Sequence, residues 1–561
     1  MIDNNSRFSY NPSTRASRSR FDMSTSVKTS FDAAELIPFF YEEVLPGDTF
    51  DLETNFICRM QTLLTPIMDD LYLDTFYFFV PNRIVWDHWK EFMGENTQSS
   101  WYPTTERTIP QISVAPSKSI NAKTVADYFG IPPMTVPAGS GNGVSFSALP
   151  FRAYAMIWNE WFRDENLQDP VLIDKGDATH TFDNTSAVDG GAPLMANKYH
   201  DYFTSALPSP QKGPEVSIPI GSVAQVYPIN TNQYHPEYTP KTYDVATLEW
   251  RNTDDSPLPS RAGLGILNSG ATDPSGLAGV TFLDQEDNAG ASGSPYPSNL
   301  IADLQSVPSA SINSLRLAFA TQALYEKDAR GGTRYREIIK NHFNTVSPDA
   351  RQQVPELLSY NRTRVDVSQV VQNSATQSNS PQGTTTAFSL TVDSDGSFIK
   401  SFTEHGMIIG LMCVRYNHTY QQGIDRRFSR LSRFDYYWPV FANLGEQPIK
   451  NKEIYAQGTE EDSEVFGYQE AWAEYRYHPD ICTAEMRSSY PQSLDVWHLG
   501  DEYAKLPALS SSWISEDKAT VNRVLAVSDN VSDQFFADIF IKNYATRVMP
   551  MYSIPGLPRT L

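Results

Sequence analysis

Four arginines, Arg426, Arg427, Arg430 and Arg433, fall within eight residues, and Phe428, Phe434, Tyr436, Tyr437 and Trp438 are interleaved with them or follow them. Guanidinium groups and ring faces in one segment suit two chemistries. One is contact with single-stranded nucleic acid, where rings stack on bases and cations track the backbone. The other is a protein interface, where Arg and aromatic side chains supply much of the binding energy. A second segment, Asp328-Ala329-Arg330-Gly331-Gly332-Thr333-Arg334-Tyr335-Arg336, sets three arginines around a glycine pair. The glycines permit close approach of another backbone and arginine offers a planar fork, which fits an inter-subunit or phosphate contact. The plainer reading is a helix end whose arginines pair with Asp328 and Glu337. A turn needing positive φ at Gly331 makes Gly331→Val disruptive.

Other candidates do not assemble into a reaction centre. Gly139-Ser140-Gly141-Asn142-Gly143 lacks the Lys-Ser/Thr of a phosphate loop and reads as a surface loop. Asp393-Ser394-Asp395-Gly396 lacks the ligands of a calcium loop and reads as a hairpin turn between two alternating runs. His405, His418 and His478 share no metal-ligand spacing and read as structural. Ser205 is not in a GxSxG elbow. With 66 acidic residues, a glycosidase-type carboxylate pair on a β-sandwich stays open as an alternative, and the many Trp and Tyr would suit sugar stacking. Trp86, Trp89, Trp158 and Trp161, however, fall on helix stripes, which favours packing.

The elements that must position these residues belong to a large folded chain. It has 561 residues, room for about three to four domains of roughly 150 residues or one domain with long insertions. Hydrophobic residues make up 40% and aromatics 12%, which excludes a disordered chain, and 38 prolines exclude a coiled coil. The net charge of −22 excludes a globally basic nucleic-acid binder. Cys58, Cys413 and Cys482 are too few and too dispersed for a disulfide framework, and no metal or cofactor is expected. The first 20 residues show no apolar leader segment, so no signal peptide is expected, and no run reaches the roughly 20 residues of a membrane span.

Strands are expected both early and late. Phe50, Leu52, Thr54, Phe56 and Cys58 alternate onto one face, and Leu71–Pro81 is apolar throughout, as a strand buried on both faces would be. Gly406–Tyr420, Val465–Pro479 and Gln534–Ile541 continue the pattern. Helices are expected over Asn82–Met93, Phe151–Phe162, Ser311–Arg330 and Arg334–Phe343. Residues 215–308 are small, polar and turn-rich, and an insertion of that length points to function or a partner. The first 20 residues carry Arg7, Arg15, Arg18 and Arg20 against Asp3, a local +3 that suits an arm ordering on a partner, with Phe8, Tyr10 and Phe21 as stacking groups.

Five stretches resemble the major capsid protein of the Microviridae, and the gokushovirus branch above all: SRFSYNPSTRASRSRFDMS (6–24), PFFYEEVLPGDTF (38–50), HDYFTSALPSPQKG (200–213), EKDARGGTRYREIIKNHF (326–343) and SPDARQQVPELL (347–358). The resemblance implies a mainly β viral jelly roll, an antiparallel eight-stranded barrel or sandwich with long loop insertions containing helices. It implies an extended arm over 1–45, jelly-roll strands with helical insertions over 46–214, a variable threefold protrusion over 215–308, and the remaining helices and strands over 309–561. It also implies a non-enzymatic coat protein that builds a T=1 icosahedral shell around circular single-stranded DNA in the bacterial cytoplasm. The implied partners are further copies of itself, an internal scaffolding protein, a DNA-pilot protein, a small basic DNA-binding protein and a host surface receptor. On this reading His200, Asp201, Tyr202, Phe203, Pro208, Pro210 and Gln211 form one assembly segment. Arg330, Gly331, Gly332 and Arg334 form another, and Arg15, Arg18, Arg20, Arg426 and Arg427 are candidate DNA or inner-surface contacts. The competing expectation is a carbohydrate-active β-sandwich enzyme or lectin.

Overall fold

The computed structural model describes residues 17–96, 106–139, 143–217 and 311–552 except 377, 379 and 380, together with six short strands between 225 and 303. In chain order the principal strands are β1 (Ser19–Asp22), β2 (Thr25–Phe31), β3 (Ile37–Val44), β4 (Thr49–Met60), β5 (Leu71–Pro81), β6 (Glu356–Arg364), β7 (Thr391–Ser401), β8 (Gly406–Tyr416) and β9 (Phe535–Arg547). One sheet runs β1-β9-β4-β7, with β2 following β1 along the same edge of β9; the other runs β6-β5-β8-β3. All of these pairings are antiparallel. The two sheets form a β-sandwich.

Alternation builds its core. Phe50, Leu52, Phe56 and Cys58 of β4 meet Phe535, Ile539 and Ile541 of β9 and, from the facing sheet, Leu73, Tyr77, Phe79 and Met412. Inside this core the Thr54 and Tyr77 hydroxyls bond across the sheets at 2.5 Å. β5 and β8 are buried on both faces. Their other side chains, among them Phe78, Val80, Ile409 and Leu411, pack with Trp86 and with α1 (Leu149–Ile157), whose last turn continues as a π-helical turn over Trp158–Phe162. A third core gathers Tyr202, Phe203, Tyr420, Phe466 and Trp513. Phe535 is fully buried and stacked on Phe31 at 5.7 Å. Phe535→Ala is therefore expected to cost about 3–5 kcal/mol, read as a lowered denaturant midpoint.

Several expectations change. The chain joins the sandwich at Ser19, and β1, β2 and β3 all lie within the expected 1–45 arm; Phe31 and Ile37 are fully buried, which ties the segment down. Asp393–Gly396 is not a hairpin turn. It lies inside β7, where Gly396 and Ser397 face a single residue of β4 and Gly396 takes φ +82°, a bulge that lets pairing continue. The expected helix over 82–93 breaks into turns at Asn82–Val85 and Trp89–Phe92, because Trp86 is pulled into the core and its indole donates to Asp177 at 2.8 Å. Only Val465–Gln469 of the 465–479 run is a strand. Residues 140–142 of the glycine-rich segment lie outside the described residues.

Residues Gly213–Leu324 form a separate compact unit. Their described strands are antiparallel pairs nested in sequence: Gln225–Pro228 with Leu300–Asp303, Trp250–Arg251 with Tyr296–Pro297, and Gly263–Ile266 with Val280–Leu283. The insertion thus carries regular pairing where the sequence showed turn-forming residues.

Candidate assembly surface

The two motif segments meet. α2 (Ile312–Gly331) ends at the glycine pair and α3 (Tyr335–Phe343) follows it. His200, Thr204, Ser205 and Leu207 from one segment, and Arg330, Gly331, Gly332 and Arg334 from the other, line a cavity of about 540 Å³ with Trp161 and Phe162. Tyr202 and Phe203 are buried in the third core, and the Asp201 carboxylate accepts from the Tyr420 hydroxyl at 2.6 Å and from the Phe203 and Thr204 amides. Leu207 exchanges backbone bonds with Tyr468, and beyond Pro208, Pro210 and Gln211 the Lys212 amide donates to the Tyr325 carbonyl at 3.2 Å. This segment holds the chain together from within, and His200 alone of its HDYF start is exposed.

The glycine pair has two different tasks. Gly331 is still helical, and the conformation that favours glycine belongs to Gly332, at φ +86°. A Cβ on Gly332 would also strike the Glu337 carboxylate, and one on Gly331 would overlap Asn341, whose amide donates to the Lys327 carbonyl at 2.7 Å. Gly332→Ala is expected to destabilise the turn by about 1–2 kcal/mol from the left-handed backbone, read by thermal melting.

Arg334 is turned inward. It donates to the Asn159 and Arg163 carbonyls at 2.8 and 3.0 Å, closing the end of the π-helical turn, and pairs with Glu165 and Glu337. Its contacts therefore stabilise this chain. Burial opposes charge on Glu165, but Arg334 and the Thr333 amide hold it below its ordinary range; burial and then the neighbouring Glu165 push Glu337 up. This carboxylate pair is already clamped by a guanidinium, which spends it on structure. Arg330 points the other way and pairs with the buried Glu446 carboxylate. That contact ties the end of α2 to the end of the arginine–aromatic segment.

That segment is open to solvent. Phe428, Leu431 and Val440 are 83%, 98% and 88% exposed, and Phe434, Tyr436, Tyr437, Trp438, Leu444, Tyr475, Tyr477 and Ile481 are also exposed. Short 3₁₀ turns at Arg426–Ser429, Arg433–Asp435 and Pro439–Phe441 hold the chain. Asp435 accepts from the Leu431 and Ser432 amides at 2.8 and 2.7 Å, and the Trp438 and Trp472 indoles donate to the Arg433 and Phe441 carbonyls. Arg430 lies over the Tyr436 and Tyr475 rings at 4.7 and 4.8 Å and reaches Glu474 at 3.4 Å. So many exposed apolar side chains in one segment make it a candidate binding surface, and a fixed backbone lowers the ordering cost of binding. Sequence reading found its arginines and rings but missed Leu431, Val440, Leu444 and Ile481. The available signal was branched aliphatics placed without helix or strand period.

The candidate nucleic-acid cations are largely committed within the chain. Arg20 pairs with Asp51 at 3.0 Å and covers Tyr544 at 4.3 Å. Arg427 pairs with Asp425 at 2.6 Å, and Arg426 is half-buried with Tyr202, Glu453 and Glu474 around it. Arg18 packs near Gly47, and Arg15 lies outside the described residues. His418 is buried between Asp501 at 2.9 Å and Glu516 at 3.2 Å. Among the described residues no group of three or more His, Cys, Asp or Glu side chains is placed to hold a metal ion.

The family described as Capsid protein (F protein) matches residues 9–557. The chain is 42% identical to capsid protein VP1 of Spiroplasma virus 4, with 97% of this chain and 96% of that one covered. It is 40% identical to capsid protein VP1 of Chlamydia phage 1, covering 99% and 98%, and 39% identical to capsid protein VP1 of Bdellovibrio phage phiMH2K, covering 99% and 98%. With that likeness running from end to end, the chain belongs to the phage capsid protein (F protein) family.

Proposed function

We propose that this capsid protein assembles with copies of itself into a T=1 icosahedral shell around circular single-stranded DNA. The rigid apolar surface over Phe428–Leu444 is the principal contact between copies, and its exposure in the single chain is the observation that supports the reading. Self-association covers the exposed rings and aliphatics, and many repeated contacts make modest ones sufficient. A chain of net charge −22 does not neutralise phosphate by its overall balance, so packaging draws on a small basic DNA-binding protein. An internal scaffolding protein and a DNA-pilot protein complete assembly in the bacterial cytoplasm. Sedimentation and electron microscopy of the chain expressed with its phage companions test this: shell-sized particles are expected, and a persistent 63.0 kDa species would overturn it.

The unit Gly213–Leu324 is proposed as the surface protrusion that meets the host receptor. Deleting 215–308 is expected to leave particle yield intact while adsorption to host cells falls by at least about tenfold, because many receptor contacts are lost together. Loss of particles would instead make the insertion part of the shell.

A further inference from the structure

A cleft of about 750 Å³ opens on the side of the sandwich where β2 and β3 face each other. Among the described residues each is an edge strand: β2 pairs only with β9, and β3 only with β8. The Tyr128 hydroxyl donates to the Ser30 carbonyl at 3.0 Å, so even-numbered residues of β2 turn their backbone groups towards this side. Arg547 donates to the Glu43 carbonyl at 2.8 Å, which likewise turns Glu43 and Tyr41, on the same side of the register shift at Phe39, away from β8. The backbones of Lys28 and Tyr41 therefore face the cleft from opposite walls. An exposed edge is a template for an added strand. Thr25, Val27, Lys28, Thr29 and Ser30 of β2 line the cleft, a stretch of about 20 Å at 3.3 Å per residue.

The occupant is specified by chemistry and by where the chain leads. Met23, Val27 and Phe129 give the cleft an apolar floor, and all three are half-buried. Its lysines are spent, Lys28 on Asp538 at 3.4 Å and Lys123 on Asp533. The Asp127 carboxylate accepts from the Lys123 amide at 2.9 Å at the rim. Residues 1–16 lie ahead of the described chain, and within them Ser6-Arg7-Phe8-Ser9-Tyr10 alternates polar and aromatic residues before Pro12. As a strand it would put Phe8 and Tyr10 on the apolar floor and leave Arg7 to meet Asp127. The chain enters β1 at Ser19 opposite Arg547, the last residue of β9, rather than beside Thr25–Ser30.

We infer that the cleft between β2 and β3 takes residues Ser6–Tyr10 of a second copy of this chain as an added strand, so that neighbouring copies exchange arms. The inference rests on the self-assembly reading. Two full-length variants test it, one carrying only Ser9→Cys and the other only Lys28→Cys, co-expressed so that particles contain both. The native cysteines Cys58, Cys413 and Cys482 are buried and do not compete. After mild oxidation of purified particles, a covalent dimer joining the two variants is the expected product. Particles that form normally but yield no mixed dimer overturn the inference. So does capture of the arm by a companion protein, or, in a separate chain carrying both Ser9→Cys and Lys28→Cys, a disulfide that closes only within one chain. Failure to form particles even from the unmodified chain would instead strike the self-assembly reading.

Discussion

Replacing Phe428 and Leu431 together by aspartate is expected to leave a folded single chain that no longer builds particles. Both side chains are almost free of contacts within the chain, at 83% and 98% exposure, so melting of the isolated protein should move by no more than about 0.5 kcal/mol of stability. Between copies the effect is large. Burying one Leu or Phe contributes about 1.5–3 kcal/mol, so losing two weakens a contact by about 3–6 kcal/mol, roughly 10²–10⁴-fold. Placing carboxylates there adds a desolvation cost. The measurement is particle yield by sedimentation beside a melting curve. A soluble, normally melting chain without particles fits the account; normal particle yield removes this surface from the interface.

The second large effect lies in the interior. His418 is wedged between Asp501 and Glu516, and Lys198 reaches Asp501 from the other side at 3.4 Å. Burial by itself would push the imidazole down, but the two carboxylates outweigh it and raise His418 to about 10. Burial also opposes charge on Asp501, yet His418 and Lys198 hold it well below the usual carboxylate range. His418→Leu leaves the buried Glu516 carboxylate without its cation and Asp501 with Lys198 alone, and is expected to cost about 3–5 kcal/mol. The pH dependence has a definite sign. The His418 contribution is complete below its unfolded value of about 6.5 and is lost as pH rises towards about 10. The Asp501 contribution is complete above its unfolded value of about 3.9 and is lost as pH falls below it. Melting temperature should therefore decline between about pH 6.5 and 10 in the native chain, and this decline should shrink in His418→Leu. A variant that melts like the native chain across that range would show that the histidine carries no charge in the fold.

The β-sandwich was legible where burial follows a period. Phe50 to Cys58 alternate in sequence and all turn to the core, and the continuous apolar run of β5 corresponds to a strand with a core on each side. Asp395-Gly396 misled because local turn chemistry competes with pairing, and the long ladder to β4 prevailed by absorbing Gly396 as a bulge. The arginine–aromatic surface was legible as composition but not as direction. Arg330 and Arg334 sit four residues apart, yet one reaches Glu446 and the other closes a π-helical turn contributed by residues 158–162. Direction of this kind depends on partners distant in sequence. The same holds for His418, whose acids lie 83 and 98 residues away.

Hydroxyl-radical footprinting of particles against the Phe428→Asp/Leu431→Asp single chain addresses the exposed surface itself. Oxidation of Phe434, Tyr436, Tyr437 and Trp438 should be strong in the isolated chain, where these side chains meet solvent, and should fall severalfold in particles. Equal oxidation of those rings in both states would contradict burial of this surface between copies.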